Sequence, residues 1–222
     1  MNMRKYSYCK TDYTEKYIRQ KYNELIIYNS FIKRLSGKNF RNVLDCGCGY
    51  GRVTQYIKDF FSYKRFVLLD ISKKAIIKYK ERLKVSNMFF INADAEELPF
   101  QREVFDLVLL VEVISYTDNP RKVIKELYRV LTQKGLLMAS VENRYGGLIC
   151  DPYLRKNDLE KVLLKGEREE VKYFTEGEFF EILIEVGFEM TKDEILKIED
   201  ICKKDKEFAN FARAICVLAE KR

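Results

Sequence analysis

The segment Val43-Leu44-Asp45-Cys46-Gly47-Cys48-Gly49-Tyr50-Gly51 brings an apolar run to an acid and then places glycine at every second position. Glycines in such a turn let the backbone bend and approach a ligand where side chains would obstruct it. Asp45 stands where a carboxylate can hold a cationic amino group near the start of the next helix. A dinucleotide fingerprint would need its third glycine at position 52, which is Arg52. Phe66-Val67-Leu68-Leu69-Asp70 is a second apolar run ending in an acid, and a carboxylate there is placed to accept both hydroxyls of a ribose. A dehydrogenase would also carry an acid near this position, so Asp70 argues for an adenosine ribose without choosing the cofactor. Both acids have a plainer use as caps of the helices that follow.

The acid followed by G-x-G-x-G at Asp45, Gly47, Gly49 and Gly51 resembles the first motif of the class I S-adenosylmethionine (SAM) dependent methyltransferases. The resemblance implies that the loop, with Cys48 as a small side chain inside it, lies along the methionine part of SAM. It implies that Asp70 and Ile71 meet the ribose side. Phe89-Phe90-Ile91-Asn92-Ala93-Asp94-Ala95 is similar to the family's third-strand segment, which would put Asp94 on the adenine amino group and the Ala95 backbone on a ring nitrogen. Asp94 could equally cap the turn that follows it. Phe105 to Ile114 is similar to the central fourth strand, apolar on both faces, with Val111 at the cofactor. Arg129 to Leu137 resembles the end of a helix, a turn glycine and the fifth strand.

The acceptor side is less explicit. Amino-directed nucleic-acid methyltransferases carry Asn or Asp followed by Pro-Pro-aromatic after the fourth strand, whereas this chain has Val111-Glu112-Val113-Ile114. Cytosine-C5 enzymes place a nucleophilic cysteine after the fourth or fifth strand, and Cys150-Asp151-Pro152 matches no such motif. Glu112 to Pro120 instead resembles the small-molecule branch that includes the ubiquinone- and menaquinone-type enzymes. Many members have histidine where Tyr116 stands, so Tyr116 becomes a candidate for lining the methyl-transfer site. Glu112 is a candidate base, with a helix-capping or sulfonium-facing acid as its alternatives. Asn143-Arg144-Tyr145 follows the fifth strand where that branch often has a Pro-Asn-Arg-like turn, and is a candidate substrate contact.

The chain contains no histidine, so no histidine base, Ser-His nucleophile or His-ligated metal can operate in it. Cysteines at 9, 46, 48, 150, 202 and 216 show no C-x-x-C pair, so neither a zinc site nor a disulfide framework is expected, and free thiols are. The net charge of +7 leaves room for an acidic partner, yet Lys73, Lys74, Lys78, Lys80, Arg82 and Lys84 lie on one predicted helix and read first as a solvated face. No apolar run is long enough to span a membrane, and the first residues do not form a secretory signal; a cytoplasmic location, as monomer or homodimer, is expected.

These residues need a scaffold to bring them together. Strands near 41–45, 66–70, 88–92, 105–110 and 135–141 alternate with helices near 52–61, 73–85 and 119–132, which predicts a parallel α/β sheet with helices on both faces. The chain, 222 residues and 47% apolar, suits a single domain of this kind. Residues 1–40 are read as a helical N-terminal lid, and 143–172 as a substrate-side insertion. Thr175 and Glu178 form a capping box for a helix ending at Gly187, and apolar runs at 188–198 and 212–219 fit two final strands. The resemblance implies the Rossmann-like methyltransferase fold, a seven-stranded, mostly parallel sheet with an antiparallel last strand. It also implies SAM as cofactor, S-adenosyl-L-homocysteine as product and a small-molecule acceptor methylated at O or N. An RNA or protein methyltransferase, or a SAM-binding scaffold without turnover, are the alternatives.

Overall fold

The computed structural model describes residues 29–83, 86–144, 172–190 and 214–222. In chain order the elements are α1 (Asn29–Leu35), β1 (Asn39–Cys46), α2 (Arg52–Ile57), β2 (Ser62–Asp70), α3 (Lys73–Arg82), β3 (Met88–Asn92), β4 (Phe105–Val111), a 3₁₀ turn (Ile114–Tyr116), α4 (Pro120–Val130), β5 (Leu131–Glu142), α5 (Glu176–Val186), β6 (Phe188–Glu189) and β7 (Ala214–Lys221). The strands form one seven-stranded sheet in the order β3-β2-β1-β4-β5-β7-β6. All neighbouring pairs from β3 to β5 are parallel, and β7 runs antiparallel to both β5 and β6. The described lid residues are α1 and the approach to β1, and the expected insertion is described only at its ends. Residues 145–171 of that insertion lie outside the described residues.

Alternation along the strands builds a separate core on each face of the sheet, as the period-two geometry requires. Leu44, Val67, Leu69, Val108 and Leu110 pack on one face against Val123, Ile124 and Leu127 of α4 and Phe179, Ile182 and Leu183 of α5. Val43, Phe66, Leu68, Leu107 and Leu109 pack on the other against Phe31 and Leu35 of α1, Val53 and Ile57 of α2, and Ile76 and Tyr79 of α3. Strands buried on both faces read as unbroken apolar runs, which is why 105–111 shows no polar alternation.

Local signals start and stop these elements. Ser72 caps α3 through its hydroxyl, Asn119 caps α4 with Pro120 behind it, and Thr175 and Glu178 form the expected capping box of α5, which ends at Gly187 with φ 109°. One boundary differs from expectation. Helix α4 stops at Val130 and β5 begins at once at Leu131; the segment Thr132–Gly135, expected as helix end and turn, is an irregularity inside the strand. There Phe105 faces Leu131 but Leu107 faces Leu136, and Lys134 takes φ 62°. The turn signal was real, but the chain spends it on a bulge.

Candidate functional site

Between β1 and β4 the strand order reverses, and at the carboxyl ends of parallel strands this is where a crevice opens. The cleft there encloses about 1050 Å³ of empty space counted out into its open mouth. Its walls come from the loop after β1 (Gly47, Cys48, Gly49, Tyr50, then Arg52 and Val53 of α2), from Leu69, Asp70 and Ile71, from Ala93, Asp94 and Ala95, and from Val111 to Val113 with Tyr116 and Thr117.

The loop is pinned from below. Gly47 and Cys48 donate their backbone N–H groups to the Leu69 carbonyl at 2.7 and 2.9 Å, and Gly49 donates to Asp70 Oδ2 at 2.7 Å. Asp70 is 1% exposed and its other oxygen accepts from Ser72 N at 2.8 Å. The cap of α3 is therefore Ser72, and Asp70 instead ties the glycine loop to the end of β2. A carboxylate has about four lone-pair directions, so two backbone donors leave capacity on the cleft side for hydroxyl groups. Burial pushes the Asp70 carboxyl up, against the pull of the Ser72 and Gly49 hydrogen bonds.

The three glycines do different work. Gly47 has φ 85°, and a β-carbon there would sit 2.2 Å from Val113 Cγ2. Gly51 has φ 81°, and a β-carbon there would fall 1.8 Å from Cζ of the buried Tyr79 ring. Gly51, expected at the cofactor, is therefore off the cleft wall, its missing side chain filled by α3. Gly47 and Gly49 stay on the wall.

Asp45 is also off the wall. Its carboxylate is 2% exposed beneath the loop and accepts the Thr54 hydroxyl from α2. Burial raises its pKa from 3.8 to about 7; the Thr54 hydrogen bond and the Arg52 charge oppose the rise, while Asp70 adds to it. The thiols of Cys46 and Cys48 are buried and free, and burial followed by the charges of Asp45 and Asp70 pushes both well above an ordinary thiol. They are packing groups here and not nucleophiles.

On the β4 side, Glu112 has φ 57°. A residue with a β-carbon pays strain for that conformation, and its N–H is held by Ser140, at 3.0 Å to the hydroxyl and 3.3 Å to the carbonyl. Its carboxylate meets the Arg52 guanidinium at 2.8 Å, with the two side chains 19% and 14% exposed. Tyr116 lines the same wall from the 3₁₀ turn. That turn is anchored by Lys172, whose N–H donates to the Ser115 carbonyl at 2.7 Å and whose Nζ donates to the Asp118 carbonyl at 2.6 Å.

Asp94 combines the two uses expected of it: it lines the cleft, and its Oδ1 accepts from Glu96 N at 2.9 Å as a turn cap. Ala95, Ile71 and Val111 line the cleft as well. Asn143 and Arg144 do not. Asn143 bridges to Phe174, and Arg144 pairs with Glu178 at 2.9 Å, tying the end of β5 to the cap of α5. Tyr145 lies outside the described residues. The wall residues that sequence reasoning passed over are chiefly Tyr50, Arg52, Val113 and Thr117. In the sequence Arg52 stands out only as the absence of a glycine, although the first residue of a helix leaving a ligand loop is itself close to the ligand. Among the described residues no cluster of three or more His, Cys, Asp or Glu could hold a metal, and no helix is long and apolar enough to cross a membrane.

Comparison with known proteins agrees with this geometry. Residues 44–139 match the family model described as a methyltransferase domain. The chain is 32% identical over 200 residues to an uncharacterised protein of Methanocaldococcus jannaschii, covering 87% of each. It is 30% identical over 109 residues to the malonyl-[acyl-carrier protein] O-methyltransferase of Salmonella typhimurium, a match spanning 49% of this chain and 42% of that one. Among solved structures, a chain in a complex of the Haloferax volcanii Trm112 methyltransferase activator superposes with a TM-score of 0.68 at 15% identity, covering 93% of this chain and 94% of that chain. A SAM-dependent methyltransferase of Mesorhizobium loti superposes with a TM-score of 0.66 at 16% identity, covering 88% and 98%.

Proposed function

The chain belongs to the class I SAM-dependent methyltransferases, and on that premise we propose that it transfers the methyl group of SAM to an oxygen or nitrogen atom of a small metabolite by in-line displacement. The observation that carries the cofactor part is Asp70: a buried carboxylate that fastens the glycine loop from behind and still faces the cleft at the end of β2. The residues present fit the cofactor. Asp70 would take the ribose hydroxyls, Asp94 and Ala95 the adenine edge, and the Gly47 to Gly49 backbone the chain leading to sulfur. Bound SAM supplies an electrophilic methyl on a sulfonium.

The protein's own part is then positioning. Val111, Val113 and Tyr116 line the wall beyond the end of β4, where they would shape the acceptor's approach and keep water from the reacting line. Glu112, as the partner of Arg52, is better suited to holding charge than to removing a proton. Relatives named for O-methylation of malonyl-[acyl-carrier protein] and for phthiotriol/phenolphthiotriol dimycocerosates support an acceptor other than nucleic acid.

The exposed basic residues of α3 (Lys73, Lys74, Lys78, Lys80 and Arg82) are the feature that favours an RNA acceptor instead. The test is incubation with methyl-labelled SAM and an extract from cells lacking the gene, followed by fractionation. Label in small molecules supports the proposal. Label in RNA or protein refutes it in favour of a macromolecular acceptor, and cofactor binding with no label refutes it in favour of a scaffold.

A further inference from the structure

The 3₁₀ turn Ile114–Tyr116 carries Tyr116 and the following Thr117 onto the cleft wall beyond the end of β4. A single 3₁₀ turn does not fix its own position, because it closes few internal hydrogen bonds and closes them in poor geometry. Here Tyr116 N donates to the Val113 carbonyl at 2.9 Å, and Thr117 donates to the Ile114 carbonyl through N at 3.2 Å and through its hydroxyl at 2.9 Å. Where Tyr116 stands is therefore decided by what grips the turn from outside.

The hydroxyl of the fully buried Ser115 accepts Glu142 N at 3.0 Å, which ties the turn to the end of β5. Beyond the turn, Glu96 Oε1 accepts Asp118 N and Asn119 N at 2.8 and 3.0 Å. Lys172 supplies a grip from 54 residues further along the chain than Asp118. Its N–H donates to the Ser115 carbonyl at 2.7 Å and its Nζ to the Asp118 carbonyl at 2.6 Å, so one residue takes hold on both sides of the Tyr116-Thr117 pair. The Nζ contact is partly buried and charge-assisted, which makes it the stronger kind of hydrogen bond.

Lys172 is itself off the cleft wall. The residues after it are sewn to the end of β5: Phe174 N donates to the Glu142 carbonyl at 2.9 Å, Arg144 N to the Phe174 carbonyl at 2.8 Å, and Arg144 Nη2 to the Tyr173 carbonyl at 3.1 Å. Lys172 thus stands on a strap fixed to the sheet, and it staples the turn to that strap.

On the methyl-transfer reading of the cleft, we infer that Lys172 is a positioning residue for the methyl acceptor. Its Nζ bond to the Asp118 carbonyl fixes the turn that sets where Tyr116 and Thr117 stand on the acceptor side. Small displacements of such a wall are felt in the rate of transfer and not in the binding of the donor.

The test compares Lys172→Met, which removes the ammonium but keeps the backbone bond to Ser115, with Lys172→Arg, which keeps a charged donor. Calorimetric affinity for S-adenosylhomocysteine should be unchanged in both. Transfer from methyl-labelled SAM is measured over a dilution series of the extract fraction that accepts label, with SAM saturating. Its maximal rate should fall by about ten- to a hundredfold in Lys172→Met, the scale of a lost charge-assisted hydrogen bond, and be largely restored in Lys172→Arg. Hydrogen exchange read by mass spectrometry should quicken at the amides of Tyr116 to Asn119 in Lys172→Met. Undiminished transfer in Lys172→Met would overturn the inference, as would a loss matched by an equal loss of S-adenosylhomocysteine affinity, or exchange that does not change. A native protein that binds S-adenosylhomocysteine and labels nothing would instead sink the methyl-transfer reading, and exchange would still decide whether Lys172 fixes the turn.

Discussion

Asp45→Asn should make the protein more stable at alkaline pH and alter the pH dependence of unfolding in a defined direction. The Asp45 carboxyl is buried beneath the glycine loop, with its pKa raised from 3.8 to about 7. A carboxyl whose folded pKa lies above its unfolded one binds its proton more tightly in the native state. It stabilises fully below about pH 4, and that contribution is lost as pH rises through about 7. At about 1.4 kcal/mol per pH unit of displacement, the full loss is about 4 kcal/mol, of which about 3 kcal/mol falls between pH 5 and pH 9. Asparagine keeps an oxygen to accept the Thr54 hydroxyl but never ionises. Its buried amide adds a cost of about 1–3 kcal/mol that does not vary with pH if left unpaired. The difference between the two proteins is therefore the informative quantity, because other titrating groups cancel from it. Urea unfolding followed by circular dichroism at pH 5, 6, 7, 8 and 9 should show the variant gaining about 3 kcal/mol on the native protein across the range. A difference that stays constant from pH 5 to pH 9 would refute the argument, since Asp45 would then be ionised throughout or released from burial.

Gly51→Ala should cost about 2–5 kcal/mol, combining left-handed strain with intrusion on the Tyr79 ring, and its thermal midpoint should recover only in part when Tyr79→Ala removes the ring. Asp70→Asn should weaken SAM by about 1–3 kcal/mol in calorimetry, because the amide presents a donor where ribose hydroxyls and backbone N–H groups need an acceptor. Asn119→Ala should lower stability by about 1 kcal/mol in urea unfolding through the lost cap of α4, with SAM affinity intact. Glu96→Ala should cost more than Asn119→Ala in the same assay, because Glu96 Oε1 accepts both the Asp118 and Asn119 N–H groups and both lose their partner.

The sequence by itself determined the strand and helix alternation, the sheet with helices on both faces and the glycine loop as its site, because each rests on local rules. Apolar runs bounded by turns make buried strands, and the Thr175–Glu178 box starts a helix whatever lies around it. The same local reading found the positions at the ends of β1, β2, β3 and β4, since an acid or glycine after an apolar run must reach the carboxyl edge of a parallel sheet. What it could not decide was direction. Whether Asp45 faces a ligand or the protein depends on Thr54 in the next helix. Whether Gly51 is left bare for a ligand or for Tyr79 depends on how α3 packs, and whether Arg144 reaches a substrate or Glu178 depends on where α5 docks. The pairing of Arg52 with Glu112 joins residues far apart in the chain and needs the backbone at Glu112 turned into the left-handed region. No sequence pattern signals that turn at a glutamate. Those outcomes belong to packing between elements, where burial and the nearest hydrogen-bond partner choose among orientations that the residue types alone permit equally.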